Sequence, residues 1–169
     1  MSPIKPRELE IDRHREHDEF AVTSWGEMAR SRVPAVRASN AFALIDYRCP
    51  AGFGPPRHLH RNDDEVLYVI SGMLALWTET KCGTAGPGDV VMLPKAVPHA
   101  WRSFGADDVH LLVIAAPGDF EPFFELLQGR QALSSEIEKL VAIADEAGMD
   151  VVGPPLSDED VTAIIAERG

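Results

Sequence analysis

Residues 52–72 read GFGPPRHLHRNDDEVLYVISG, and this stretch decides the fold. It contains two histidines separated by one residue, His58 and His60, followed by the carboxylate of Glu65 and then by Gly72. Because alternate side chains of a strand project to the same face, both imidazoles are expected to point into one interior and reach one ion. The carboxylate would come from the start of the next strand, and the glycine would close a hairpin.

A second stretch, residues 88–103, reads GDVVMLPKAVPHAWRS and supplies a third histidine, His99. We expect it to lie on a strand that is distant in sequence and adjacent in space. Three neutral nitrogens and one carboxylate suit Mn, Fe, Co or Ni, while Zn and Cu(II) remain possible. Four protein ligands on an ion that prefers six leave two positions open, where substrate and dioxygen or water can bind.

The choice of carboxylate is ambiguous, because Asp63, Asp64 and Glu65 are consecutive. A looser spacing of the motif selects Asp64. We favour Glu65, since it keeps six residues before Gly72 and its longer side chain reaches further from the strand. The alternative to a metal site is an empty polar pocket lined by the same side chains.

The sequence around these motifs predicts an all-β fold that ends in helices. Short apolar runs separated by Gly and Pro occupy residues 20–118, a texture typical of a sandwich or barrel. Residues 119–169 show helical spacing, with starts expected near Pro122, Ser135 and Ser157. We therefore predict one domain overall: an N-terminal arm (1–19), a β-barrel (20–118) and a helical tail (119–169) packed on the barrel.

The two motifs, G-x5-H-x-H-x4-E-x6-G and G-x5-P-x4-H, resemble those of the cupin superfamily, in particular its single-domain quercetin dioxygenase-like branch. The resemblance implies a jelly-roll (double-stranded β-helix) barrel. It also implies one divalent ion, Mn or Fe and less often Ni, Co, Cu or Zn, held by His58, His60, Glu65 and His99. Two positions depart from the family pattern, since Ala96 and Ser103 stand where a glycine and an asparagine are usual.

Composition restricts the partners. The chain has 169 residues, a formal net charge of -11 and a pI near 4.9, which opposes binding to nucleic acid or an anionic membrane. A small-molecule substrate is the expected partner, and the resemblance implies a homodimer. Cys49 and Cys82 form no CxxC motif, and the first twenty residues contain no apolar core of signal-peptide length. We expect reduced thiols and a cytoplasmic protein.

For function, the resemblance implies a metal-dependent dioxygenase that inserts O2 into a small enolisable or aromatic substrate. We expect Glu65 also to serve as the catalytic base, because a ligating carboxylate that shifts can accept the substrate hydroxyl proton. The alternatives are a non-catalytic or regulatory cupin that binds a metal or small ligand, and a metal-dependent isomerase or decarboxylase. Trp101, two residues from His99, is the expected wall of the substrate pocket. His110 is expected to be structural, and Arg57 and Arg61 to point outward.

Overall fold

In a computed structural model of the protein, the structure describes residues 11, 13, 19–24, 26–131, 133 and 136–167. The predicted arm, residues 1–19, lies almost entirely outside these ranges. The strands are, in chain order, β1 (Ala21–Val22), β2 (Met28–Val33), β3 (Ala43–Cys49), β4 (Pro56–His60), β5 (Asp64–Ser71), β6 (Met73–Thr78), β7 (Cys82–Ala85), β8 (Val90–Leu93), β9 (His99–Phe104), β10 (Val109–Ala116) and β11 (Met149–Pro155). The helices are α1 (Phe123–Gly129), α2 (Ile137–Glu146) and α3 (Asp158–Ala166), and a short 3₁₀ turn covers Ala35–Ala38.

The strands form two antiparallel sheets. One has the order β1-β2-β3-β10-β5-β8 and the other β11-β4-β9-β6-β7. The chain passes from one sheet to the other at most of its turns, as in a jelly roll, so the predicted fold class is confirmed. The expectation of a closed barrel was wrong for the described part of the chain, because backbone pairing ends at the edge strands of each sheet and no ladder joins the two.

The alternation along β5 shows how the sequence places the core. Leu67 and Val69 are buried between the sheets, whereas Tyr68 and Ile70 lie on the outer face. Gly72 then turns the chain into β6 with a φ of 84°. A side chain at this position would lie 2.6 Å from Cγ2 of Val109, so both the turn and the close approach require glycine.

The tail departs from the prediction in one respect. Helices begin close to the expected positions, and α3 has a capping box in which Ser157 and Asp160 bond to each other's backbone N–H groups. The start expected at Ser135 lies outside the described residues. Between α2 and α3, however, β11 pairs with β4, the strand of His58 and His60. None of the helices in the described ranges is long and apolar enough to cross a membrane.

Candidate metal centre

The structure brings the four predicted ligands together. One ligand atom from each of His58, His60, Glu65 and His99 lies within 4.8 Å of the others, and all four residues are buried. His58 and His60 come from β4, Glu65 is the second residue of β5, and His99 opens β9. His58 is also the register partner of His99 across the β4–β9 pair, which explains how a residue distant in sequence reaches the site.

Two of the imidazoles are oriented by backbone carbonyls. Nδ1 of His58 lies 2.8 Å from the Pro56 carbonyl oxygen, and Nδ1 of His99 lies 2.9 Å from that of Val97. A carbonyl only accepts, so each Nδ1 carries the proton and each Nε2 keeps its lone pair. This is the tautomer in which a histidine ligates a metal through Nε2.

Several atoms of this cluster have no hydrogen-bond partner in the described part of the chain, although they are fully buried. They are both ring nitrogens of His60, Nε2 of His99 and Oε2 of Glu65. An unsatisfied buried polar group costs about 1–3 kcal/mol, so a cluster of them needs an explanation. A cation bound among them would satisfy the lone pairs of His99 and Glu65 and one nitrogen of His60.

The distances within the cluster also fit a metal ion. Oε2 of Glu65 lies 3.5 Å from Nε2 of His60 and 3.5 Å from Nε2 of His99. Bonds of about 2.0–2.2 Å to a common ion place ligand atoms about 3 Å apart at right angles and about 4 Å apart on opposite sides. The donor set and the spacing therefore fit a divalent transition metal, whose identity the ligands leave open.

The protonation states of His58 and Glu65 are those that a metal requires. Burial lowers the pKa of His58 to about 3, helped by the neighbouring His99 and His60, so its ring is neutral at pH 7. Burial alone would raise the pKa of Glu65, but the imidazoles of His60 and His99 outweigh it and lower the pKa below its usual range. Neutral imidazoles and an ionised carboxylate are the forms that coordinate metals.

The three consecutive acids have three different environments. Glu65 points into the cluster, whereas Oδ1 of Asp64 accepts a hydrogen bond from the backbone N–H of Lys95 at 2.9 Å. Asp63 is buried and accepts from the backbone N–H groups of residues 118–120. Its carboxylate thereby fixes the turn that places Phe120 against the His60 ring, with centroids 4.4 Å apart. The structure thus places Glu65, and not Asp64, beside the histidines.

The two departures from the family pattern are accommodated locally. Ala96 has a φ of 59°, the left-handed region that favours glycine, and its N–H donates to the His60 carbonyl at 2.8 Å. The hydroxyl of Ser103 is buried, accepts from the N–H of Phe53 at 3.0 Å and donates to the Pro50 carbonyl at 3.0 Å. Ala96 thus bonds to the backbone of His60, and neither residue contacts a side-chain ligand atom of the cluster through these bonds.

A cavity of about 60 Å³ opens beside the cluster. Trp101 is on its wall, as its position two residues after His99 predicts. Most of the lining is apolar and comes from both sheets and from α1, namely Pro55, Leu67, Trp101, Val113, Phe120, Phe123, Phe124 and Met149. A larger cavity of about 920 Å³ lies between β2 and α1 and contains none of the four cluster residues.

Two further polar residues, which the sequence analysis did not single out, line the same cavity. Glu27 precedes β2, and Tyr47 lies on β3 with its hydroxyl donating to the Glu27 carboxylate. Tyr47 could be suspected from the sequence as a cavity aromatic because it alternates with the apolar Ile45. Glu27 offers no such signal, because a single glutamate before a strand is usually a surface residue.

The remaining sequence predictions concern residues outside the cluster. His110 is structural, as expected, with Nε2 2.9 Å from Oδ1 of Asp46. Arg57 and Arg61 do point away from the interior, but they are not free surface charges. Arg57 contacts Asp160 at 3.1 Å, and Arg61 contacts Asp145 and Asp150, so both hold the C-terminal segments.

Cys49 and Cys82 are both free thiols. Burial and the nearby Glu27 charge raise the pKa of Cys49 to about 12, so it is a protonated, unreactive thiol at neutral pH. The cytoplasmic location stays a prediction of the sequence.

Comparison with known proteins agrees with the fold and the motifs. The Cupin domain family (Cupin_2) matches residues 47–115, which include both motifs and all four cluster residues. This part of the chain is thus similar to the cupin superfamily. Quercetin 2,3-dioxygenase of Bacillus subtilis is 28% identical over 86 residues, covering 51% of this chain and 25% of that protein. The chain thus matches only a quarter of the length of this relative.

Solved structures support the fold alone, because their sequences are distant. KdgF from Halomonas sp. superposes with a TM-score of 0.55 at 14% identity, covering 64% of this chain and 94% of that one. The polyketide cyclase RemF from Streptomyces resistomycificus superposes with a TM-score of 0.54 at 18% identity, covering 64% and 80%. Their different names show that this fold hosts several functions.

Proposed function

We propose that the protein is a metal-dependent cupin dioxygenase that inserts O2 into a small enolisable or aromatic substrate. The observation that carries the proposal is the buried convergence of His58, His60, Glu65 and His99, with lone pairs that no described group satisfies. Mn or Fe is the proposed ion, with Ni, Co, Cu or Zn as alternatives. The similarity to the Bacillus subtilis quercetin dioxygenase supports the reaction class.

When bound, the metal supplies a Lewis acid that lowers the pKa of a substrate hydroxyl and a place where substrate and dioxygen meet. Both oxygen atoms enter the substrate, which provides all the electrons, so the reaction needs no external reductant. The apolar wall formed by Trp101, Phe120 and Phe124 excludes water and holds a flat or apolar substrate next to the cluster.

Glu65 is proposed to have a second role, as the acceptor of the substrate hydroxyl proton. Its carboxylate is ionised and lies at the boundary between the histidines and the cavity. The low pKa makes Glu65 a weak base, so proton transfer to it depends on the substrate hydroxyl being acidified at the same time.

The size of the cavity limits the substrate. Pockets for drug-sized ligands have volumes of about 300–1,000 Å³, whereas this one is about 60 Å³. A flavonol does not fit without movement of α1, which carries Phe123 and Phe124 on the cavity wall. A diketone of a few carbon atoms is therefore a better candidate than a flavonol.

The same small volume favours one alternative, a non-catalytic cupin that binds a metal or a small ligand without turning it over. The other alternative, an isomerase or decarboxylase of a polar metabolite, has less support. Such substrates call for inward Lys, Arg or Asn side chains, and none of these is among the described residues that line the cavity.

The test combines elemental analysis with oxygen consumption. Purified protein is expected to contain about one transition metal per chain, and protein reconstituted with Fe or Mn is expected to consume O2 with acetylacetone and much less with quercetin. Metal uptake without O2 consumption for any small diketone or phenol would contradict the dioxygenase and support the non-catalytic alternative.

Glu65→Gln and Asp64→Asn form a matched pair for the proposed base. We expect Glu65→Gln to lower turnover by roughly 100-fold or more at equal metal content, because general-base contributions are of that size. Asp64→Asn, which removes a neighbouring carboxylate bonded to the Lys95 backbone, should change turnover little. Undiminished turnover of fully loaded Glu65→Gln would rule out the base role.

We also propose that the protein is a homodimer that pairs through the outer face of the six-stranded sheet. This face exposes apolar side chains from three neighbouring strands, namely Tyr68, Ile70, Val90, Met92 and Ile114. Because each chain carries a net charge of -11, copies repel each other unless they meet at an uncharged surface.

Light scattering tests the dimer. Wild-type protein should have twice the chain mass of 18.5 kDa, and Val90→Asp should have the mass of one chain. A wild-type protein that stays monomeric at about 100 µM, far above the Kd of a stable dimer, would contradict the proposal.

A further inference from the structure

The cavity contains a polar pair outside the four-residue cluster, with Tyr47 on β3 and Glu27 just before β2. Tyr47 and Glu27 are 3% and 5% exposed, and both line the cavity that His58, His60 and Glu65 border. The Tyr47 hydroxyl donates a hydrogen bond to Oε1 of Glu27. A buried carboxylate needs compensating hydrogen bonds, so Tyr47 and Glu27 act as one polar unit on the cavity wall.

The surroundings hold the backbone of Glu27 and the ring of Tyr47 in place. The backbone N–H of Glu27 donates to the Thr23 hydroxyl at 3.1 Å, and the N–H of Thr23 donates to the Glu27 carbonyl at 2.9 Å. The Tyr47 ring packs edge-on against Trp101 at 5.7 Å between centroids and lies 5.5 Å from Phe124. The phenol therefore has a fixed position on the cavity wall.

The chemistry of the pair determines what it can bind. The Tyr47 proton is directed to Glu27, so the phenol oxygen presents only lone pairs to other groups. Burial and the Glu27 charge raise the pKa of Tyr47 well above its usual value, which keeps the phenol protonated. Toward the cavity the pair thus acts as an acceptor of hydrogen bonds, with a carboxylate that strengthens it.

We propose that Tyr47 and Glu27 form a specificity site that binds a hydroxyl or other hydrogen-bond donor of the ligand, on the part of the ligand not held by the metal. This inference rests on the proposed metal site and deepens it. It defines the ligand as a small molecule with a metal-binding oxygen at one end, an apolar body and a donor group at the other. No Lys or Arg lines the described cavity, so a second anionic group is not accommodated.

The test uses pairs of carboxylic acids that differ by one hydroxyl group. Their binding is measured by NMR on 15N-labelled protein, through the indole N–H signal of Trp101. Zinc-loaded and metal-free protein are titrated with 3-hydroxypropanoate against propanoate, and with 4-hydroxybutanoate against butanoate. In zinc-loaded wild-type protein, one hydroxylated acid should bind about tenfold tighter than its partner, as expected for one hydrogen bond to a charged pair. Tyr47→Phe and Glu27→Gln should lose this preference and keep the same zinc content.

Tyr68→Phe is the control, because it removes the other phenol of the chain from the outer face of the sheet. A preference that survives in Tyr47→Phe and Glu27→Gln would come from chelation of the zinc and would overturn the proposed pair. Absence of any preference in zinc-loaded wild-type protein would overturn it as well. Protein that takes up no zinc would instead refute the metal site and the proposed pair with it, because the described lining then offers no cation to hold the carboxylate of the probe.

Discussion

The outer faces of the two sheets both carry apolar side chains but have different surroundings. On the five-stranded sheet, Ala75 and Ala100 are fully buried beneath Leu156, Val161 and Ile164 of the C-terminal segment. On the six-stranded sheet, Val90 and Met92 are 64% and 54% exposed. Alternation in a strand predicts an apolar outer face, but it does not say whether that face is covered by the chain itself or by a partner.

Two arginines of the five-stranded sheet contact the tail that covers it. Arg57 on β4 and Arg102 on β9 reach outward and contact Asp160 and Asp158 of α3, at 3.1 and 2.7 Å. The Arg102 guanidinium also donates to the carbonyl of Leu156 at 2.9 Å. The outer face of the six-stranded sheet has apolar side chains on β5 and β8 and no helix packed on them in the described chain. We therefore expect the first face to depend on the tail and the second on a partner.

The largest effect is expected for the covered face. Ile164 is 4% exposed and Ile165, its neighbour in α3, is 40% exposed. Ile164→Ala should lower the free energy of unfolding by about 2–5 kcal/mol, because it leaves a cavity against the sheet. Ile165→Ala should lower it by less than about 1 kcal/mol. Chemical denaturation measures both, and equal losses would show that α3 does not cover the sheet.

A smaller effect is expected where the tail is held by charge. Arg57 contacts Asp160, donates to the Pro154 carbonyl at 2.9 Å and lies over the Trp77 ring at 4.8 Å. Arg57→Ala should lower the free energy of unfolding by about 1 kcal/mol, because solvent screens the ion pair and the contact with the Trp77 ring contributes little energy. Arg57→Lys should recover part of the loss. A variant as stable as wild type would mean that apolar packing alone retains the tail.

The smallest effect concerns thiol reactivity at the edge of the covered face. Cys82 packs partly beneath the tail, and burial raises the pKa of its thiol. At pH 8, iodoacetamide should modify Cys82 slowly and leave Cys49, whose pKa is about 12, unmodified until the protein unfolds. In Ile164→Ala, Cys82 should react faster, because the loss of packing lets the tail open more often. Mass spectrometry of the peptides gives the modification rates. An unchanged rate for Cys82 would show that the tail does not protect its thiol.

Much of the site could be predicted from the sequence because it depends on short-range geometry. His58 and His60 share a face for the reason that any residues i and i+2 of a strand do. Trp101 follows His99 into the cavity by the same rule. The motif spacing then placed Glu65, although the roles of Asp63 and Asp64 became clear only from the backbone groups of the distant segments that they bind.

Two features depended on contacts that the sequence does not encode locally. Glu27 reaches the cavity because β2 pairs with β3 and brings it to Tyr47, twenty residues away. Strand β11 contains Gly153 and two prolines, which usually argue against a strand, and it forms because β4 offers an unpaired edge. The prediction of a closed barrel was wrong for the described part of the chain. The alternation of residues determines which face of a strand is buried, but it does not determine how far backbone pairing extends.

The metal content of histidine variants tests the central claim most directly. We expect about one transition metal per chain in wild-type protein and in His110→Ala, which removes a histidine paired with Asp46 away from the cluster. His60→Ala and His99→Ala should each lose at least about 100-fold in metal affinity, because each removes a buried donor. Equal metal content in all four proteins, or no metal in the wild type after reconstitution, would contradict the account.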